Sequence, residues 1–150
     1  MTIRTAIGVM SGTSMDAIDV AILRTDGREL VQVGPGRAYG YEPGLRDRLL
    51  AVLARPEAAM DDPMRELDAA VSDAHAGAVV EFLRDFDVPA GEIDVIGIHG
   101  QTIFHKPEAR FTRQLGIGAR MAALLGIDVV TRFRHADLAA GGEGAPLAPL

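Results

Sequence analysis

Residues 6–19, Ala-Ile-Gly-Val-Met-Ser-Gly-Thr-Ser-Met-Asp-Ala-Ile-Asp, constrain the fold more than any other stretch. An apolar run at 7–10 enters Ser11-Gly12-Thr13-Ser14, and the chain turns apolar again over 18–23. Two apolar segments of strand length around a short Gly/Ser turn predict strand, tight turn, strand. Gly12 lets the backbone approach a ligand closely. Ser11, Thr13 and Ser14 add hydroxyl donors, and successive N–H groups in such a turn can form an anion-binding nest. Asp16 and Asp19 follow at once. They repel a bare phosphate but suit one carried with Mg²⁺. Two readings stand side by side: a hairpin that grips phosphate, and an ordinary Ser/Gly turn with solvated aspartates. It is not a P-loop, because GxxxxGK[ST] is absent and the turn joins two strands.

From this hairpin the rest of the chain can be ordered. Strands are expected at 3–9 and 17–24. After Asp26-Gly27 a third is expected near 29–39, where Pro35 points to an edge position or a bulge. Leu45, Leu49, Leu50 and Val52 predict a short helix over 43–53, ended by Arg55-Pro56. Leu67, Ala70, Val71, Ala74, Ala78, Phe82 and Phe86 recur at three and four, predicting a long helix over 63–86. Asp61 or Asp62 can cap it and Pro63 suits its first turn. His75 falls within it and reads as a partly buried or surface histidine. Residues 93–98 are an apolar run between turn residues, hence a buried parallel strand. A short strand at 112–115, a helix over 117–125 closed by Gly126, and a buried strand at 127–130 follow. The order βββαβαβ predicts an α/β fold: a mixed sheet with helices on its faces, of the ribonuclease-H-like kind found in sugar kinases.

Composition excludes several partners. The chain has 150 residues, 48% of them apolar, enough for a core in one domain. Its net charge of −6 argues against nucleic acid and anionic membrane. No apolar run approaches ~18 residues, so no membrane span is expected. Cysteine is absent, so disulfides and cysteine-type zinc sites are excluded. The N-terminus enters a strand without a signal-peptide core, so a cytoplasmic protein is expected.

Two further clusters follow predicted strands. Residues 97–107, Gly-Ile-His-Gly-Gln-Thr-Ile-Phe-His-Lys-Pro, read as a polar segment at the carboxyl end of a parallel strand, where α/β sheets bind ligands. Gln101 and Thr102 offer donors and acceptors suited to sugar hydroxyls or an acetamido group. His99 and His105 lack a third ligand at a suggestive spacing, so they read as loop histidines that bond backbone or substrate, and no metal site is assigned. Residues 131–150 hold Arg134 and Asp137, followed by Gly141-Gly142-Glu143-Gly144. A carboxylate near a guanidinium is held ionised and can accept a proton. A surface ion pair before a flexible loop is the plainer alternative.

Taken together the three clusters resemble the anhydro-N-acetylmuramic acid kinases. That family carries MSGTS-x-D-G/A-x-D, matched by residues 10–19; HGQT after a strand, matched by 99–102; and FR-x-x-D-x-A-x-GG-x-GAPL-x-P, matched by 133–149. The resemblance implies a kinase of peptidoglycan recycling and amino-sugar metabolism. Such enzymes open the 1,6-anhydro ring of anhydro-N-acetylmuramic acid with water and phosphorylate O6, using ATP and Mg²⁺. By carry-over Gly12, Thr13, Ser14, Met15, Asp16, Ala17, Ile18 and Asp19 would bind ATP, with metal held indirectly. Gln101 and Thr102 would contact the sugar. Asp137 would be the general base, with Arg134 beside it. The partners implied are the sugar and ATP, and a homodimer is compatible with the resemblance.

Three positions depart from the family pattern. Arg132 stands where an aspartate is usual, Phe104 replaces an arginine, and Gly116-Ile117 replaces GD or GN. The family chain is more than twice as long. Residues 1–150 are therefore expected to be a truncated N-terminal kinase domain, incomplete at its C-terminus and without the second nucleotide-binding domain. Alone it is expected to be inactive. Two alternatives are a non-catalytic remnant or sugar-binding module, and a kinase of another anhydro sugar such as levoglucosan.

Overall fold

The structure, a computed structural model, describes residues 2–61 and 63–145. Six strands form one mixed sheet: β1 (Arg4–Ser11), β2 (Ala17–Thr25), β3 (Val31–Gly40), β4 (Val95–Lys106), β5 (Phe111–Leu115) and β6 (Val129–Val130). Between them lie α1 (Pro43–Leu53), the short α2 (Ala58–Asp61), α3 (Arg65–Asp85) and α4 (Gly118–Leu125), and α5 (His135–Ala139) follows β6. The sheet order is β3-β2-β1-β4-β5, with β6 also paired to β4. β1, β2 and β3 are antiparallel neighbours, while β4 runs parallel to both β1 and β6. The expected edge position and bulge at Pro35 are both present, since β3 is outermost and its register shifts opposite Ile22.

Burial alternates with period two along β1, β2 and the first half of β4, as a sheet with one packed face requires, while the edge strand β3 is exposed along nearly its whole length. Ile7, Val9, Ile18, Val20, Ile22, Ile96 and Ile98 point inward. They meet Leu67, Val71, Val79 and Phe82 of α3, with Leu49 of α1 and Met121 of α4. Fully burying one such side chain stabilises by roughly 1.5–3 kcal/mol. The three longer helices thus gather on one face rather than on both. Gly126 closes α4 in the left-handed conformation, φ 68°, as its position predicted.

Four expectations need correction. The long helix starts at Arg65, not Pro63, and its N-cap is Met64 in the left-handed region, φ 49°, with no side-chain cap. Asp61 closes α2 instead, and Asp62 lies outside the described residues. Residues 97–106 are not a loop: β4 runs on to Lys106 because β5 pairs antiparallel with Gln101–Lys106 and takes up its backbone groups. His99 and His105 are therefore strand residues. His75 is neither partly buried nor on the surface but wholly enclosed.

The register of β4 against β1 slips by one residue: Val9 pairs with Ile98, and Met10 pairs with Gly100. His99 is the extra residue of a bulge, and Gly100 takes φ 80°. A bulge reverses the alternation beyond it. His99 thus points to the open face, and Gln101 points under the sheet towards α3.

Candidate active site

The turn between β1 and β2 is closed by the Met15 amide donating to the Gly12 carbonyl at 3.1 Å. Met15 takes φ 53° and drops its side chain into the core, as Ile18 does. Of the eight expected ATP contacts, these two can present only backbone. Ala17 is half-buried and pairs with Gly40. Thr13, Ser14, Asp16 and Asp19 are exposed. The amides and hydroxyls of Thr13 and Ser14 take no partner among the described residues. Arg46 of α1 braces the turn, donating from Nε to the Met15 carbonyl at 3.2 Å and from Nη2 to Asp16 at 3.5 Å.

One ladder step from this turn, the pair Met10–Asp19 opens onto a cavity of about 620 Å³ on the uncovered face. Gly8, Ala21 and Gly97 form its floor, and His99, Phe133, Arg134 and Gly144 line it further. The floor is low because these positions are small: a Cβ on Gly97 would already lie 3.4 Å from the Phe133 ring.

Arg134 holds the far side together. Its Nε donates to His99 Nε2 at 2.9 Å and its Nη1 to the Gly144 carbonyl at 2.8 Å. An imidazole nitrogen that accepts from a guanidinium carries no proton. His99 is then the tautomer whose Nδ1–H donates to the Gly100 carbonyl at 3.0 Å. Burial pushes the His99 pKa down; the Gly100 bond opposes this and the Arg134 charge adds to it.

The surface ion pair of the plainer alternative does not form between Arg134 and Asp137; no such contact joins them among the described residues. Both instead hold Gly144, whose amide donates to Asp137 Oδ2 at 2.7 Å. The glycine-rich segment wraps the carboxylate, and a Cβ on Gly142 would sit 2.4 Å from Oδ2, so a larger residue there would displace the carboxylate. Asp137 is half-buried and reaches the cavity wall through Gly144 rather than lining it. Arg132 is exposed at φ 65° and makes no ion pair among the described residues. Its charge lowers the His135 pKa, second to burial. The end of the third motif, 146–149, lies outside the described residues.

The sugar contacts expected at Gln101 and Thr102 fare differently from the turn. Gln101 is fully buried with both ends of its amide engaged: Nε2 donates to the Gly12 carbonyl at 3.0 Å, and Oε1 accepts from the Tyr41 hydroxyl at 3.2 Å. It cross-links β4 to the turn, and its side chain is wholly enclosed. Thr102 is half-buried, and its Oγ1 accepts weakly from Gln114 at 3.4 Å.

His75 Nε2 lies 3.1 Å from the Tyr41 hydroxyl and 3.2 Å from Ser11 Oγ, while its Nδ1 has no partner. Burial lowers the His75 pKa from 6.5 to about 4, the His99 charge adding to the effect, and burial raises Tyr41 to about 12. The unfolded chain therefore takes up the His75 proton first as pH falls. Stability is expected to be full above pH 6.5 and to fall by up to about 3 kcal/mol as pH drops towards 4. Urea denaturation of the protein at stepped pH checks this, and His75→Leu should flatten that part of the profile.

Sequence reasoning missed Tyr41 and Arg46, and it noted His75 only as a helix histidine. A signal existed for Tyr41: antiparallel β2 and β3 bring Gly40 beside Ala17, so the residue after β3 returns to the turn.

Comparison with known proteins agrees with the three motifs. The family model described as anhydro-N-acetylmuramic acid kinase matches residues 4–150. Similar curated relatives include anhydro-N-acetylmuramic acid kinases of Agrobacterium fabrum, 46% identical over 98% of this chain and 41% of that one, and of Acidiphilium cryptum, 48% identical over 97% and 39%. Another, from Rhizobium etli, is 44% identical over 98% and 41%. The chain is also similar, weakly, to a Thermus thermophilus RuvC structure, with a TM-score of 0.40 and 14% identity over 97% of this chain and 73% of that one. The curated relatives are named as kinases. This chain belongs to the anhydro-N-acetylmuramic acid kinase family. It spans about two fifths of the length of the curated relatives it matches. Among the described residues no helix is long and apolar enough to cross a membrane.

Proposed function

We propose that these residues form the N-terminal, ribonuclease-H-like part of an ATP-dependent kinase. It opens the 1,6-anhydro ring of anhydro-N-acetylmuramic acid with water and phosphorylates O6. One observation carries the reading. A turn with unpartnered amides and hydroxyls abuts a cavity walled by Arg134 and Gly144, and the two come from distant segments. The strand order, with β1–β3 antiparallel and β4 and β6 parallel to β1, supports the fold assignment.

The turn fits a nucleotide phosphate: free N–H and O–H donors stand at the end of a hairpin, and Asp16 and Asp19 flank them. No group of three metal-ligating side chains exists among the described residues. Asp16 and Asp19 would hold Mg²⁺ on the phosphates indirectly, and the ion would neutralise charge on the transferring group. Asp137 takes the proton of the water that adds to C1 as the C1–O6 bond breaks, and O6 then accepts the γ-phosphoryl group. Arg134 keeps the glycine segment in place beside that carboxylate. Since Gln101 is occupied, direct contact with the sugar falls to the residues of the cavity wall, and Gln101 orients the turn. We place the second wall of the cleft, with the adenosine site, in the remainder of the length that the relatives have.

The test is turnover by the full-length protein. Incubation with ATP, Mg²⁺ and anhydro-N-acetylmuramic acid should give N-acetylmuramic acid 6-phosphate and ADP in equal amounts, detected by mass spectrometry. Phosphorylation of levoglucosan but not of the amino sugar, or of neither, would overturn the assignment.

A further inference from the structure

The buried polar residues beneath the turn are not explained by packing. Ser11, Tyr41, His75 and Gln101 come from β1, the segment before α1, α3 and β4, and all four are buried. Burying such groups costs free energy unless every polar atom is paired, and His75 Nδ1 is not. An apolar set of the same volume would hold the helix to the sheet at least as well. What the polar set adds is direction. The bonds run from His75 Nε2 to Ser11 Oγ, and from His75 through Tyr41 and Gln101 to the Gly12 carbonyl. Both routes end on adjacent residues where β1 enters the turn. The Gly12 carbonyl is also the acceptor that closes the turn onto the Met15 amide.

We propose that His75 is a positioning residue, which through Ser11, Tyr41 and Gln101 fixes the turn backbone in the conformation that presents the Thr13 and Ser14 amides to a nucleotide phosphate. This rests on the kinase reading for the identity of the ligand, but not for the restraint on the turn. His75 touches no substrate; it sits under the sheet, on the face opposite the cavity. Its ring anchors the network to α3, the longest helix and the one most deeply packed. A turn without that anchor would still form, because the hairpin ladder closes it. It would sample other conformations, and anion binding would have to select one of them.

The experiment compares wild type, His75→Leu and His75→Gln in the full-length protein. Leucine fills the volume without polar atoms, and the glutamine amide can replace Nε2. In His75→Leu the KM for ATP should rise about tenfold while the KM for the sugar stays within about twofold. His75→Gln should return most of the loss. Equal rises in both KM values, or a lowered active fraction with unchanged KM for ATP, would reduce His75 to a packing residue and overturn the proposal. If His75→Leu does not fold, Tyr41→Phe breaks the same route by one hydroxyl and should show the same split, smaller in size. A second readout needs no turnover. Exchange of the Met15 amide, followed by NMR, should be at least about tenfold faster in the variant, with the α3 amides unchanged. An unaltered Met15 amide would sink the positioning role even if the kinase reading failed; an inactive wild type with a faster Met15 amide would sink only the kinase reading.

Discussion

Asp137→Asn in the full-length protein is expected to lower kcat by ~10²–10⁴, the usual loss when a general base is removed. The substitution isolates that role unusually well. An asparagine carbonyl can still accept the Gly144 amide that Oδ2 holds at 2.7 Å, so the glycine segment keeps its seat. Arg134 still grips the Gly144 carbonyl from the other side. Sugar and nucleotide affinities should then change little, and the loss should appear in turnover at saturating substrates. A fall of less than about tenfold would leave Asp137 as a residue that merely holds the loop. Gly142→Ala is the complementary probe. Its Cβ would meet both carboxylate oxygens, at 2.4 and 2.6 Å, so the carboxylate must move. Activity should fall there too, but with weakened binding, because the wall of the cavity shifts along with that carboxylate.

The largest stability effect is expected at Gly100. Two costs combine in Gly100→Ala. The residue sits at φ 80°, in the left-handed region that a Cβ disfavours by roughly 1–2 kcal/mol. The added Cβ would also lie 2.5 Å from the Leu115 carbonyl and 3.2 Å from the Gln114 Cβ. Overpacking of this kind costs about 1–3 kcal/mol, and the contact is with backbone, which cannot swing away. A loss of about 2–5 kcal/mol is expected in denaturant titration. Gly91→Ala serves as the control, since nothing lies within 4 Å of its Cβ and its φ is ordinary; it should be neutral or slightly stabilising. If Gly100→Ala relaxes by sliding the β4 register, the bulge is lost. Gln101 would turn to the open face, and the turn would lose its cross-link to β4.

Local chemistry made much of the fold legible in advance. The hairpin at 4–25, the short helix at 43–53 and the glycine stop of α4 all depend on neighbours in the sequence: alternation, a first-turn proline, a left-handed glycine. The turn at 12–16 and the Arg134–Gly144 segment could be picked out because their residue types are informative one by one. That they share one end of one sheet followed from strand order, since each comes directly after a strand that runs in the same direction.

Side-chain direction was decided only by tertiary structure. Gln101 and His99 are two residues apart, and simple alternation from Ile98 would send both to the open face. The bulge at His99–Gly100 exists because β4 must pair with β1 on one edge and with both β6 and β5 on the other, a demand no local pattern records. That single slip keeps His99 at the cavity with Arg134 and carries Gln101 beneath the turn. His75 shows the same limit from the helix side. Its periodicity places it on α3 near the buried stripe, but whether it ends at the surface or in a closed polar network depends on Ser11, Tyr41 and Gln101. They arrive from 64, 34 and 26 positions away and meet only once the sheet has formed. The sequence by itself determined the first hairpin, the main helices and the start of β4, because those choices are short-range, whereas the extension of β4 to Lys106 waited on its pairing with β5. The assembled sheet decided which polar groups face a ligand and which brace it from behind, because that depends on register.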